Sequence, residues 1–396
     1  MSHDAVALAT GAPLATGFHR FHPDVSINYQ LNRFSDGSPQ SVVELTAAAG
    51  RIFDYLDYIG ELLGLSEDAD ASGRPLAGAL YQRSAEFYML PTDPRKDASR
   101  RRFVGAMRTI YGVDGATRDL IPYGAGHLYA HRITPSGARG TVVMFGGFDS
   151  YLEELFATQR HFVAAGYDVV VFEGPGQGSV LEETHLAMTP AWGPVVGAIL
   201  DHYDLAEVTV MGYSLGGGLA IRAAATEPRI RRVICDDILT DFRAVTLHQL
   251  RPATRRLLTA LLALRAKGAV NQLTAAAMRG SLVADWGLRQ GQHTTGTSSA
   301  YDFLRGTARY ETASVSGRVD QDVLLLAGSN DHYVPRSQLA QQLGWLTSAR
   351  SVTARLFTAA EEADNHVHVG NTELALRVMT EWLASLDLRD QVPGPR

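Results

Sequence analysis

The residue with the clearest chemical potential is Ser214, in the string Gly212-Tyr213-Ser214-Leu215-Gly216. A Gly-x-Ser-x-Gly string recurs by chance in glycine-rich chains, so its context carries the weight. It follows an apolar VTVM run and precedes the small-residue stretch GGLAIRAAA, which predicts a sharp strand-to-helix turn with the serine at its tip. The glycines leave room for the turn, and the helix N-terminus behind Ser214 favours negative charge. A serine hydroxyl needs a base, itself oriented by an acid. Two later loops offer these groups. Asp331 lies in AGSNDHYVP directly after the VLLLA run, where an aspartate also fits a turn-capping role; His366 lies in EEADNHVHVGN after VTARLF. His368, two residues on, is the alternative base. A His-x-His pair could hold a metal, but no Asp/Glu/His constellation at helical spacing completes such a site, so no metal or other cofactor is expected.

Acyl chemistry at a serine needs two backbone N–H groups aimed at the developing oxyanion. One is expected from Leu215, next after the nucleophile. The other is expected from Phe148, in the turn Gly146-Gly147-Phe148-Asp149 after the TVVMF run. Gly147 would let the backbone approach a substrate, and Asp149 would face the pocket or the turn. A third cluster, Glu173-Gly174-Pro175-Gly176-Gln177-Gly178, superficially invites a phosphate-loop reading. No Gly-Lys-Ser/Thr follows and no acid ends a next strand at the ribose-reading distance, so it reads as a tight loop bordering the pocket. Further pocket candidates are Glu173, Tyr213, Asp241 and His248.

These residues must be held by a scaffold. Short β-branched runs at His127–Ile133, Thr141–Phe145, Asp168–Phe172, Val208–Met211, Arg232–Cys235, Val323–Ala327 and Val352–Phe357 alternate with helical patterns. Several are continuously apolar, as parallel strands covered on both faces are. An α/β fold with an open, mostly parallel sheet is expected. Before it, periodicity from Ser38-Pro39 to Leu63, from Arg74 to about Leu90, and from Asp93-Pro94 towards Ile110 predicts helices, whereas residues 1–35 lack periodicity and read as an arm. The stretch between Cys235 and Val323 far exceeds an ordinary crossover, and its middle is helical. The expected division is a helical N-terminal region (1–115), a first core segment (116–244), a helical lid (245–315) and a second core segment (316–396).

With 45% apolar and 20% charged residues among 396, the chain has the composition of a globular protein. Thirty-six Lys+Arg against 42 Asp+Glu give a net charge of −6, which argues against nucleic acid or anionic membrane as partner. The arginine-rich basic residues, with only Lys96 and Lys267 as lysine, are scattered rather than clustered. Cys235 is the sole cysteine, and the start MSHDAVALAT lacks an export pattern. A soluble, cytoplasmic protein acting on a small molecule is expected, and the amphipathic N-terminal helices offer a surface for a homodimer.

GYSLGG, GGFDSYLEE, EGPGQG, GSNDHYVP and EEADNHVHVGN together resemble the α/β-hydrolase superfamily. More narrowly they are similar to the branch containing 2,6-dihydropseudooxynicotine hydrolase, the fungal polyketide chain-shortening hydrolases and the fermentation–respiration switch protein. LYQRSAEFYMLPTDPRK is similar to that branch's helical segment, and the resemblance spans roughly residues 40–385. It implies an α/β-hydrolase fold with Ser214 as nucleophile, Asp331 as acid and His366 as base. The chain departs at Val367, where the branch usually has cysteine, at Glu173, where it usually has aspartate, and in lacking the leading histidine of esterase HGG turns. The resemblance implies hydrolytic C–C cleavage of a β-diketone or acyl-aromatic substrate in secondary or catabolic metabolism. A proton donor must then stand near the leaving group; His366 could serve, as could Asp149, Glu173, Asp241 or His248. The same triad would serve ester, thioester or lactone hydrolysis, or acyl transfer and cyclisation. A non-catalytic regulatory protein on the same scaffold is the remaining alternative.

Overall fold

Eight strands form one sheet in the order β1-β2-β4-β3-β5-β6-β7-β8 in a computed structural model that describes residues 16–113, 118–248 and 250–391. They are β1 (Asp119–Tyr123), β2 (Gly126–Ile133), β3 (Thr141–Phe145), β4 (Asp168–Glu173), β5 (Val208–Tyr213), β6 (Ile230–Asp236), β7 (Asp322–Gly328) and β8 (Ser351–Phe357). From β4 across to β8 every pairing is parallel, while β2 pairs antiparallel with both β1 and β4. The continuous apolar runs are the central strands: Val142–Phe145, Val169–Val171, Val210–Met211, Val233–Cys235 and Val323–Leu326 are all fully buried. Strand β1 is absent from the sequence expectation because only Ile121 of its DLIPY is buried and Pro122 interrupts it, the signature of an edge strand.

The register decides where chemistry can occur. Phe145 pairs with Gly212, Gly212 with Cys235, Tyr213 with Asp236, and Gly328 with Phe357. The carboxyl ends of β3, β5, β6, β7 and β8 are therefore level, and the loops leaving them share one edge of the sheet, where ligands bind in open α/β folds.

Two helical groups border that edge. The first comprises α1 (Val25–Arg33), α2 (Pro39–Ala49), α3 (Tyr55–Ala71), α4 (Pro75–Tyr88) and α5 (Lys96–Ile110). The periodic run expected as one helix to Leu63 is broken after Ala49, and Asp54 caps the next helix by accepting from the N–H groups of Leu56 and Asp57. The expected arm is corrected in part, since α1 lies within it; the boundary near Gly115 falls outside the described residues. The second group lies between β6 and β7: Phe242–His248, Pro252–Ala263, Lys267–Gly280, Leu282–Thr295 and Ala300–Gly306. Trp286 joins the two groups. Its indole N–H donates to Phe87 O at 2.9 Å, and its ring stacks on Phe87 at 4.5 Å, inside the core formed by Ile27, Leu31, Tyr58, Leu62 and Tyr81.

Candidate active site

Ser214 sits between β5 and the helix Leu215–Ala224 with φ 56° and ψ −120°, a conformation that L-residues rarely adopt. The turn is so tight that a Cβ on Gly212 would lie 2.0 Å from Gly216 O, and one on Gly216 would lie 2.6 Å from Gly146 O, which explains the glycine on either side. Ser214 Oγ lies 2.8 Å from His366 Nε2, and His366 Nδ1 lies 2.6 Å from Asp331 Oδ2. His366 is delivered by the short turn after β8, and its carbonyl accepts from Tyr29 OH at 3.1 Å. Asp331 combines the two roles its position suggested: Oδ1 accepts from the N–H groups of Tyr333 and Val334 at 2.7 and 2.9 Å, leaving Oδ2 for the histidine. Burial alone would raise the Asp331 carboxyl, but His366 outweighs it and holds the group well below the ordinary carboxylate range. Burial likewise disfavours a charged His366 ring, and Asp331, then Asp237, overcome this and raise its pKa.

The turn after β3 packs directly on the nucleophile's turn. A Cβ on Gly147 would lie 2.8 Å from Tyr213 O and 3.1 Å from Leu215 N, so Gly147 touches the elbow and brings Phe148 beside it. Sequence reasoning missed the residue that fixes this turn. Gln177 Nε2 donates to Gly146 O at 2.6 Å and to Gly147 O at 3.0 Å, while its Oε1 accepts from Gly174 N at 2.9 Å. The Gly-Pro-Gly-Gln-Gly loop thus braces the turn from behind rather than bordering the main cavity; the only signal was a buried-type amide among turn residues.

Ser214, Leu215, Phe148 and His366 lie on the wall of a cavity of about 960 Å³. Asp149 and Tyr213 also line it. Asp149 pairs with Arg33 at 3.2 Å, and the Tyr213 hydroxyl donates to Thr158 at 3.0 Å. Much of the remaining wall is apolar, with Leu247, Leu258, Leu273, Trp286, Leu288 and Phe303 from the insertion between β6 and β7. Gln30, Arg33 and Tyr333 add a polar sector, two of them from α1, which sequence reading did not connect with the site.

Four pocket candidates are corrected, the first being Gly147, which is packed against the elbow and is not on the cavity wall. Glu173 is 1% exposed and is not on the cavity wall; its oxygens accept from Leu152 N at 2.8 Å and Val180 N at 3.1 Å, so it pins β4 to neighbouring segments. Asp241 is also off the wall, because its Oδ1 accepts from Ala244 N at 3.0 Å and caps the helix beginning at Phe242. His248 is exposed at the far end of that helix, beside Arg255. His368 does not reach Ser214; it is fully buried behind His366, with Nε2 at 3.0 Å from Asp236 Oδ1 and Nδ1 at 2.8 Å from Ala363 O. Asp236 and Asp237, at the end of β6, are two site-adjacent acids that sequence reasoning passed over. Among the described residues, Asp236, Asp237 and His368 offer ligand-type atoms within 4.8 Å of one another, as do Asp237, Asp331 and His366. No helix among those residues is long and apolar enough to cross a membrane.

Comparison with known proteins agrees with this fold. Residues 140–360 match the alpha/beta hydrolase fold family. The hydrolyase poxO of Penicillium oxalicum is 28% identical over 350 residues, covering 76% of this chain and 82% of its own. Hydrolase LUC6 of Fusarium sp is 30% identical over 59% of this chain and 65% of its own, and 20-hydroxy-prefusarin hydrolase FUS2 of Gibberella moniliformis is 32% identical over 57% and 63%. The matched region thus spans less than two thirds of the length of these last two relatives. Among solved structures, AbyA5 superposes with a TM-score of 0.66 at 19% identity over 91% of this chain and 94% of its own. The 2,6-dihydroxy-pseudo-oxynicotine hydrolase does so with 0.59 at 17% over 100% and 98%. With its parallel sheet, its serine elbow and these matches, the chain belongs to the α/β-hydrolase fold family and is similar to fungal hydrolases within it.

Proposed function

We propose that this hydrolase works through a Ser214 acyl-enzyme, with His366 as general base and acid and Asp331 as its orienting carboxylate. The carrying observation is the unbroken Ser214–His366–Asp331 chain, with contacts of 2.8 and 2.6 Å, on the wall of a large apolar cavity. Oγ attacks a substrate carbonyl while Nε2 takes its proton, and the backbone N–H groups of Leu215 and Phe148 receive the oxyanion. When the tetrahedral intermediate collapses, the bond to the leaving group breaks and the Nε2 proton passes to that group. Water, deprotonated by His366, then releases the acid and restores Ser214.

The substrate class we propose is a β-diketone, polyketide-like or acyl-aromatic compound cleaved at a C–C bond. The motif blocks shared with the polyketide and pseudooxynicotine branch support this, as does a cavity whose apolar insertion faces a polar sector on α1. Cleavage of a β-diketone leaves one carbonyl on Ser214 and expels a ketone enolate, which the Nε2 proton quenches, so no further acid is needed on the wall. The helical insertion would act as a lid, excluding water until the acyl-enzyme forms.

Ser214→Ala is expected to abolish both turnover and labelling by a fluorophosphonate probe. Near wild-type turnover in that variant would reject the acyl-enzyme, and absence of labelling in the wild type would favour a non-catalytic scaffold. Parallel assays with p-nitrophenyl esters and β-diketones, with product masses in isotope-labelled water, distinguish C–C hydrolysis from ester hydrolysis and from cyclisation.

A further inference from the structure

Behind the Ser214–His366–Asp331 chain lies a group of ionisable side chains that acyl-enzyme chemistry leaves unused: Asp236, Asp237 and His368, each at 1% exposure or less. Asp237 links it to the site. Its Oδ2 lies 3.2 Å from His366 Nδ1 and accepts from Val367 N at 2.8 Å, while its Oδ1 lies 3.6 Å from His368 Nε2. His366 Nδ1–H is thus hydrogen-bonded to Asp331 at 2.6 Å, and the Asp237 carboxylate stands 3.2 Å from the same nitrogen.

Three buried carboxylates face two imidazoles. Neither oxygen of Asp236, nor Oδ1 of Asp237, nor Nε2 of His368 makes a hydrogen bond among the described residues, and His368 Nε2 lies 3.0 Å from Asp236 Oδ1 and 3.6 Å from Asp237 Oδ1, where a charged ring would compensate them. Buried charge without such compensation would be strongly unfavourable. The His368 ring is placed for this role, with Nδ1 donating to Ala363 O and Nε2 within ion-pair reach of Asp236 Oδ1 at 3.0 Å, though without a hydrogen bond between them. The other groups around the pair are the Phe357 ring against His368, Tyr213 and Cys235 beside Asp236, and Tyr29, His332 and Tyr333 around His366. None of these supplies a second permanent cation. A tetrahedral metal bonded at about 2.0–2.2 Å would hold its ligand atoms roughly 3.3 Å apart or more. The 3.0 Å between His368 Nε2 and Asp236 Oδ1 fits an ion pair better.

We propose that His368 is a buried imidazolium which, with Asp236 and Asp237, forms a positioning relay that sets the basicity of His366 through the Asp237 carboxylate beside its Nδ1. Two full negative charges beside Nδ1–H would hold His366 protonated and unable to accept the serine proton. The His368 cation offsets one of them. Asp237 and His368 touch no substrate; they act through His366, and the inference rests on Ser214 and His366 reacting as proposed above.

The test is the rate of fluorophosphonate labelling of Ser214 as a function of pH, which needs no knowledge of the substrate. Labelling requires neutral His366, so the rate falls as pH drops through its pKa. Asp237→Asn removes a negative charge beside His366, and its acid limb is expected about one unit or more lower in pH. His368→Gln removes the compensating cation, and its limb is expected to move higher. Limbs that stay in place in folded variants, or that move in the same direction, overturn the relay. Independently of any variant, nitrogen-resolved NMR of the wild type at pH 7 is expected to show both His368 ring nitrogens protonated. A bare Nε2, or one metal ion per chain in elemental analysis, overturns it. If the wild type does not label at all, the serine mechanism fails instead.

Discussion

Gly147→Ala probes the oxyanion site while leaving every side chain of the triad chemically intact. The new methyl carbon would lie 2.8 Å from Tyr213 O and 3.1 Å from both Leu215 N and Ser214 Cβ. Relaxing these contacts to van der Waals distance requires the turn or the elbow to retreat by roughly 0.5 Å or more. The turn cannot yield freely, because Gln177 holds the carbonyls of Gly146 and Gly147 at 2.6 and 3.0 Å. The elbow must therefore do most of the retreating, which lengthens the gap between Phe148 N–H and an oxyanion formed on Ser214, where a productive donor must lie at about 2.7–3.1 Å. Losing one such donor costs about 10²–10³ in rate, and overpacking costs about 1–3 kcal/mol of stability. Stopped-flow acylation by p-nitrophenyl acetate beside a thermal melt measures both. A folded variant that acylates within threefold of wild type would refute Phe148 as an oxyanion donor.

Asp331→Asn should slow acylation by less than the roughly 10⁴-fold seen when a lone triad acid is lost, because Asp237 remains 3.2 Å from the same His366 nitrogen. The double variant Asp331→Asn/Asp237→Asn should reach the full loss, and equal rates for single and double variants would contradict a contribution of Asp237 at that nitrogen. Glu173→Ala leaves the N–H groups of Leu152 and Val180 unpaired in a buried site and is expected to lower stability by about 2–5 kcal/mol, with KM near wild type. A raised KM at unchanged melting temperature would return Glu173 to the substrate pocket.

Why some elements were legible and others were not follows from where their side chains face. The central strands announce themselves because parallel strands buried on both faces need continuous apolar sequence, as in VVMF and VLLLA. Helix α1 gives no such sign: Ser26, Asn28, Gln30 and Asn32 are buried along with Ile27 and Leu31, so it has no polar face to set its period. Its polar residues are instead satisfied locally or turned to the cavity. Asn28 accepts from the backbone of Phe21 and His22, and Gln30 lines the cavity wall. Glu173, Asp241 and His248 looked like pocket groups because they lie close in sequence to the site. The structure uses the first two to satisfy backbone N–H groups and leaves the third in solvent.

The sequence by itself determined the buried central strands and that Ser214, Asp331 and the His366/His368 pair lie in loops leaving their carboxyl ends. Both follow from local rules: apolar runs set strands, and loops leaving the carboxyl ends of parallel strands must share one edge. Tertiary structure alone decided which histidine meets the serine, that Gln177 braces the oxyanion turn, that α1 forms a wall of the cavity, and that Asp237 stands beside His366. That placement is held by the Val367 N–H bond to Asp237, between residues 130 positions apart. No local pattern encodes it, because it arises only when β6 and β8 take their places on either side of β7.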